Sequence, residues 1–142
     1  SAYAIKGVTK IGGVPKKRNI ELHIAAYFGN RKIAQSNAKG EYFVNLGDVY
    51  DPHIVTHYDE YGYPFESNKS YVLGEVIHPK IPNGYAYDCT SAGVASGTEP
   101  TTWPTTGTLT SGSAIFTPRP IYKPESHLVQ PVKVNLITGQ PV

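Results

Sequence analysis

Apolar and polar residues alternate with a period of two through much of the first 80 positions. In 19–28, Ile20, Leu22 and Ile24 fall on one side, and Glu21 and His23 fall on the other. That is the pattern of a strand with one buried face. Residues 41–46 repeat it, with Tyr42, Val44 and Leu46 opposed to Phe43. Further strands are predicted at 3–9, 31–35, 53–58 and 70–78. Gly12-Gly13 with Pro15, Gly29-Asn30, 37–40 and Gly47-Asp48 supply the turns between them, and a polar loop at 59–69 separates the last two. No segment shows a convincing helical period. Strands at this spacing predict an all-β chain whose first 80 residues form an antiparallel sandwich.

The pattern changes at 79–84, Pro-Lys-Ile-Pro-Asn-Gly. Nine of the 12 prolines lie from Pro79 onward. Residues 89–113 are dominated by Ser, Thr and Gly, with Trp103 the only large aromatic among them. Few apolar anchors remain here: Tyr85, Tyr87, Trp103, Leu109, Ile115 and Phe116. They suit a small hairpin-rich module over 81–117. Pro118, Pro120 and Pro124 then forbid a helix and favour extended backbone. The expected organisation is therefore a sandwich over 1–80, a β-module over 81–117 and a Pro-rich extended arm over 118–142. One last strand is predicted within 129–137, where Val132, Val134 and Leu136 are in phase. An arm with so few apolar groups must lie on the domain, lie on a neighbour or stay mobile, because ordering backbone costs ~1–2 kcal/mol per residue.

Composition narrows the function classes. The chain has 142 residues, 14 of them Gly, and only 17% are charged. This is poor material for a helical bundle. No apolar run approaches the ~20 residues of a membrane-spanning helix, and no secretory signal opens the chain. Ser1 is consistent with removal of an initiator Met from a short complete protein made in the cytoplasm. Cys89 is the single cysteine, which excludes an internal disulfide and a Cys-based zinc site. Net charge is uneven. Residues 1–40 hold eight Lys or Arg against Glu21, a net of +7, and residues 41–80 hold two Lys against seven acids, a net of −5. Two faces of opposite sign are expected, useful for packing between subunits or simply solvated. No stripe of aromatics and arginines supports nucleic-acid readout.

Two groups of residues carry a family likeness. The first comprises Ile5-Lys6-Gly7-Val8, Val14-Pro15-Lys16-Lys17-Arg18, Ile20-Glu21-Leu22, Gly40-Glu41-Tyr42-Phe43-Val44, Asp59-Glu60-Tyr61-Gly62 and Val76-Ile77-His78-Pro79. With these, residues 4–79 resemble the small immunoglobulin-like or transthyretin-like domains encoded by tailed bacteriophages and prophages, which are similar to carboxypeptidase regulatory-like domains. The second runs from Gly84-Tyr85-Ala86-Tyr87-Asp88-Cys89-Thr90 through Ala92-Gly93, Ser96-Gly97 and Glu99-Pro100 to Trp103-Pro104-Thr105-Thr106, then Gly107, Gly112 and Ile115-Phe116. It resembles a short β-module of phage virion proteins, especially tail and fibre proteins. That module usually closes on a second Trp, and here Phe116 stands in its place.

Candidate chemistry is sparse. There is no Gly-x-Ser-x-Gly elbow and no other nucleophile signature, so no catalytic residues are assigned and the chain is not expected to be an enzyme. His53 and His57 share a strand face but stand ~13 Å apart, too far for one metal ion. They are expected to be exposed strand histidines. Asp59-Glu60 offers only two adjacent carboxylates, and a solvated turn is the expectation there rather than a calcium site. No metal and no cofactor is expected. Tyr58, Tyr61, Tyr63, Phe65, Trp103 and Tyr122 are the candidate ligand or interface residues, since Tyr and Trp anchor both sugar stacking and subunit contacts. Cys89, between aromatics in a strand, is expected to be buried and inert.

The resemblances imply a structural component of a bacteriophage virion, synthesised in the host bacterial cytoplasm. Its place would be the tail apparatus or its fibres. It would act through contacts with other virion proteins and with copies of itself, as a homo-oligomer, without nucleic acid or membrane. The alternatives are a carbohydrate- or host-receptor-binding module that takes a surface glycan, a capsid decoration protein, and a secreted transthyretin-like enzyme or carrier.

Overall fold

The structure, a computed structural model, describes residues 2–142. The chain is all-β, with no helix among these residues. Strands β1 (Ala2–Val8), β2 (Lys10–Ile11), β3 (Val14–Pro15), β4 (Asn19–Ile24), β5 (Lys32–Gln35), β6 (Glu41–Gly47) and β7 (His53–Tyr58) come first. Then follow β8 (Tyr63–Pro64), β9 (Ser70–Tyr71), β10 (Val76–His78), β11 (Tyr85–Ser91), β12 (Gly93–Val94), β13 (Leu109–Ser111) and β14 (Ala114–Pro120). The C-terminal strands are β15 (Glu125–Val129) and β16 (Val132–Val134). The chain divides into two compact units, one made of 1–59 with 123–142 and the other of 60–122.

The first unit holds a three-stranded sheet, β16-β1-β6, and a four-stranded sheet, β15-β7-β4-β5, both antiparallel. Alternation places Ile20, Leu22 and Val55 of the larger sheet in one buried cluster with Ile5, Val44 and Leu46 of the smaller. Each such side chain contributes ~1.5–3 kcal/mol on burial. Gly7 pairs with Tyr42 across β1 and β6, and a Cβ at position 7 would stand 2.8 Å from the Tyr42 hydroxyl. Glycine there gives the tyrosine ring its place over the strand. Arg18 closes the unit at both chain junctions. Its Nε donates to Asp59 Oδ1 at 3.0 Å and its Nη2 to the Lys123 carbonyl at 3.1 Å.

The second unit is built on the sheet β13-β14-β11-β10-β8, in which β8 and β10 run parallel and the other pairs antiparallel. Strands β9 and β12 pair separately. Its core is aromatic. Phe65, Tyr71, Tyr87 and Phe116 are buried with Ile77, Cys89, Ala95, Leu109 and Ala114. The Tyr71 hydroxyl accepts the Glu66 N–H, and the Tyr87 hydroxyl donates to the Pro104 carbonyl at 2.8 Å. Both phenols therefore reach a partner while their rings fill the core. Gly112 sits at φ +58°, and a Cβ there would fall 2.1 Å from the Val94 carbonyl oxygen. Only glycine fits this approach without moving backbone.

Two expectations about organisation are revised, and one left open is decided. The unit boundaries fall at 59/60 and 122/123 rather than at 80/81 and 117/118. The few apolar residues of 81–117 recruit Phe65, Tyr71 and Ile77 from the preceding segment to complete a core. The expected strand over 70–78 is broken into β9 and β10 by a turn through Leu73 and Gly74, which has φ +88°. The C-terminal arm lies on its own domain. Strand β15 pairs with β7, and β16 pairs with β1 and buries Val134 completely. Val132 and Leu136, in phase with Val134, remain exposed.

Candidate functional site

The six candidate aromatics fall into different settings. Tyr58 ends β7 of the first unit and is half-buried. The other five belong to the second unit. Phe65 is 1% exposed and sits inside the core. Trp103 is half-buried against that core, edge-on to Phe65 at 6.1 Å and tilted against Tyr87 at 4.9 Å. Tyr61 lies parallel to the His78 ring, with centroids 4.0 Å apart. Tyr63, on the edge strand β8, is 78% exposed, and Tyr122 is also exposed. Of the set, only Tyr63 offers most of its ring to solvent. It borders a depression of about 670 Å³ lined also by Pro64, Glu66, Ser67, Lys69 and Lys80. Lys69 there is held 3.4 Å from Glu66 and 3.8 Å from Glu75, with its ammonium over the Tyr71 ring.

Two expectations about polar residues change. His53 and His57 are buried, not exposed. The period of β7 puts both on the face of Val55, toward the core. His53 bonds the Asp51 carbonyl through Nδ1 at 2.7 Å and the Asn30 side chain through Nε2 at 3.2 Å, so the ring is satisfied where it is buried. The acidic turn is not simply solvated. Asp59 is an ion-pair partner of Arg18, whose side chain is 1% exposed, and Glu60 folds back to accept the Gly62 N–H at 3.1 Å.

Cys89 is buried, and its thiol donates toward the Ser91 carbonyl. Burial pushes this thiol above its ordinary pKa, with the Ser91 bond working the other way and the charge of Glu75 adding to the rise. A raised pKa in an apolar setting makes a poor nucleophile.

A cluster absent from the sequence reading forms across β7 and β15. Glu125 lies directly opposite His57, and His127 lies opposite Val55 two residues along. In an antiparallel pair these three side chains share one face. One donor atom from each of His57, Glu125 and His127 lies within 4.8 Å of the other two. The two imidazole centroids are 5.6 Å apart. Tyr42 approaches from β6, its hydroxyl 3.4 Å from His57 Nε2 and its ring edge-on to the imidazole. Burial first, then the His127 and Arg18 charges, hold His57 below its ordinary pKa, while Glu125 pulls it upward. The alternation Glu125-Ser126-His127 does place two donors on one strand face. The register that brings them to His57, 68 residues earlier than Glu125, is visible only in the fold.

No family model, no curated protein and no solved structure matches the chain. No helix among the described residues is long and apolar enough to cross a membrane.

Proposed function

We propose that the chain is a structural component of a bacteriophage virion, of the tail apparatus or its fibres, that works by binding copies of itself and other virion proteins. The observation that carries the self-association is the outer edge of the four-stranded sheet. Strand β5 pairs only with β4, leaving its other side open. Ile33 on that strand is 61% exposed, and Tyr27 and Phe28 in the adjoining turn are 63% and 66% exposed. Unpaired backbone groups beside exposed apolar side chains suit a neighbouring strand, and a free-standing monomer commonly guards such an edge. At the opposite edge, β15 exposes Leu128. The virion itself enters through the family likenesses of 4–79 and 84–116.

The glycan-binding alternative asks for Trp103 or the 58–65 aromatics exposed and coplanar in a groove. Phe65 instead lies in the second unit's core, and Trp103 packs half-buried against that core, which favours assembly over sugar recognition. Light scattering tests the self-association. The intact chain is expected to be an oligomer, and Ile33→Lys is expected to shift it toward monomer while leaving the chain folded by its dispersed amide spectrum. A monomeric intact chain at high concentration refutes the contact. Antibody labelling of purified phage particles tests the location, and absence of this chain from the particles refutes the virion reading.

A further inference from the structure

We propose that His57, Glu125 and His127 form a binding site for a divalent first-row transition metal ion, of which Zn²⁺ is the natural probe. The inference stands apart from the virion reading and survives its failure.

The donor set is chemically selective. Two imidazole nitrogens with one carboxylate oxygen suit Zn²⁺, Co²⁺ or Ni²⁺. Calcium and magnesium take oxygen ligands almost throughout, and cuprous ion prefers thiolate and thioether sulfur. The only thiol of the chain, Cys89, belongs to the other unit.

The geometry is close to what the ion needs. Ligand atoms ~2.0–2.2 Å from a tetrahedral Zn²⁺ stand ~3.3–3.6 Å apart. Donors already within 4.8 Å of one another close that gap by small side-chain rotations. Glu125 and His127 are exposed on an edge strand and turn without disturbing the core. His57 is the fixed member, buried, with its ring placed by the Tyr42 hydroxyl and by the edge of the Tyr42 ring. The Tyr42 ring in turn lies where only a glycine at position 7 admits it. An outer partner that fixes a ligating imidazole is a usual part of a metal site. Arg18, which also acts on His57, is paired with Asp59 at 3.0 Å. Three protein ligands leave the fourth position to water.

The site has a structural consequence inside the first unit. His57 stands two residues before Asp59, and Glu125 two residues after Lys123. An ion held here clasps β7 to β15 just inside both junctions, beside the clasp Arg18 already makes there. Because the donors meet only in the folded unit, binding raises its stability by mass action.

Calorimetric titration of the tag-free, EDTA-dialysed chain with Zn²⁺ tests this. One ion per chain is expected, with a rise in melting temperature. Glu125→Gln and His127→Gln are each expected to weaken binding at least ~10-fold, and the double variant to abolish it, with the metal-free melting curve unchanged. Tyr42→Phe, a positioning change, is expected to weaken binding ~10-fold while leaving one ion bound. The double variant retains His23, His53 and His78, so it reports any binding elsewhere. No Zn²⁺ binding by the intact chain at millimolar concentration overturns the proposal. So does an affinity that the double variant leaves unchanged.

Discussion

The two units solve the same problem with different material. The first is assembled from separated pieces of chain, and its core is aliphatic: Ile5, Ile20, Leu22, Val44, Leu46 and Val55. These come from strands with clean alternation, so each residue in phase adds to one seam between two sheets. The second is continuous in sequence, and four of its nine buried core residues are Phe or Tyr. Apart from β11 and β14, its strands are only two or three residues long. Large rings therefore supply from a few positions the area that alternation supplies elsewhere, and tyrosine hydroxyls satisfy loop backbone at the same time. Regular strands build a core from many modest contributions, whereas an irregular chain depends on a few large ones. The second kind is the more vulnerable to single substitutions.

The largest expected effect tests the discontinuous construction of the first unit. Removing residues 123–142 takes away β15, β16 and the fully buried Val134, and leaves β1 and β7 as new edges. The first unit is expected to lose its dispersed amide spectrum while the resonances of 60–122 persist. A chain of 1–122 that keeps both sets would show that the returning strands are dispensable.

Next come single aromatic losses in the second unit. Phe116→Ala is expected to cost ~3–5 kcal/mol, and Trp103→Ala, at a half-buried site, nearer ~3 kcal/mol. Both losses should appear in the melting of 60–122. Equal losses in both units would erase the distinction drawn between them.

The Arg18–Asp59 pair follows. Asp59→Ala leaves a buried guanidinium without its carboxylate and is expected to cost ~3 kcal/mol in the first unit. The exposed Arg31–Glu21 pair makes the contrast, and Glu21→Ala is expected to cost under ~1 kcal/mol by denaturant titration. If the two costs match, burial does not set the worth of these pairs.

The smallest effect is chemical. Cys89 is expected to resist a disulfide-exchange reagent at pH 8 in the folded chain and to react at once in denaturant. Fast labelling of the native protein would place the thiol outside the core.

Much of the strand layout was legible because a period of two is a local signal. Strand β7 occupies the positions expected for it, and Ile20, Leu22 and Ile24 are buried as their phase required. The prolines at 118 and 120 lie within extended strand, in keeping with their exclusion from helix interiors. Burial of Cys89 also followed from its neighbours. Polarity alone predicts exposed histidines at 53 and 57, and both are buried. The strand face decided instead, and Asn30 with the Asp51 carbonyl satisfies His53 inside. The candidate aromatics scattered because the sequence counts rings and does not say which of them the core takes.

The sequence by itself determined the all-β class, most strand positions and the inward faces of β4 and β6, since alternation and turn residues act over a few positions along the chain. The tertiary structure alone decided where the units divide, that the C-terminal segment returns to pair with β1 and β7, and that Glu125 and His127 meet His57. Those outcomes rest on which strands lie beside one another. Pairing across tens of residues is set by the whole core, and no local pattern encodes it.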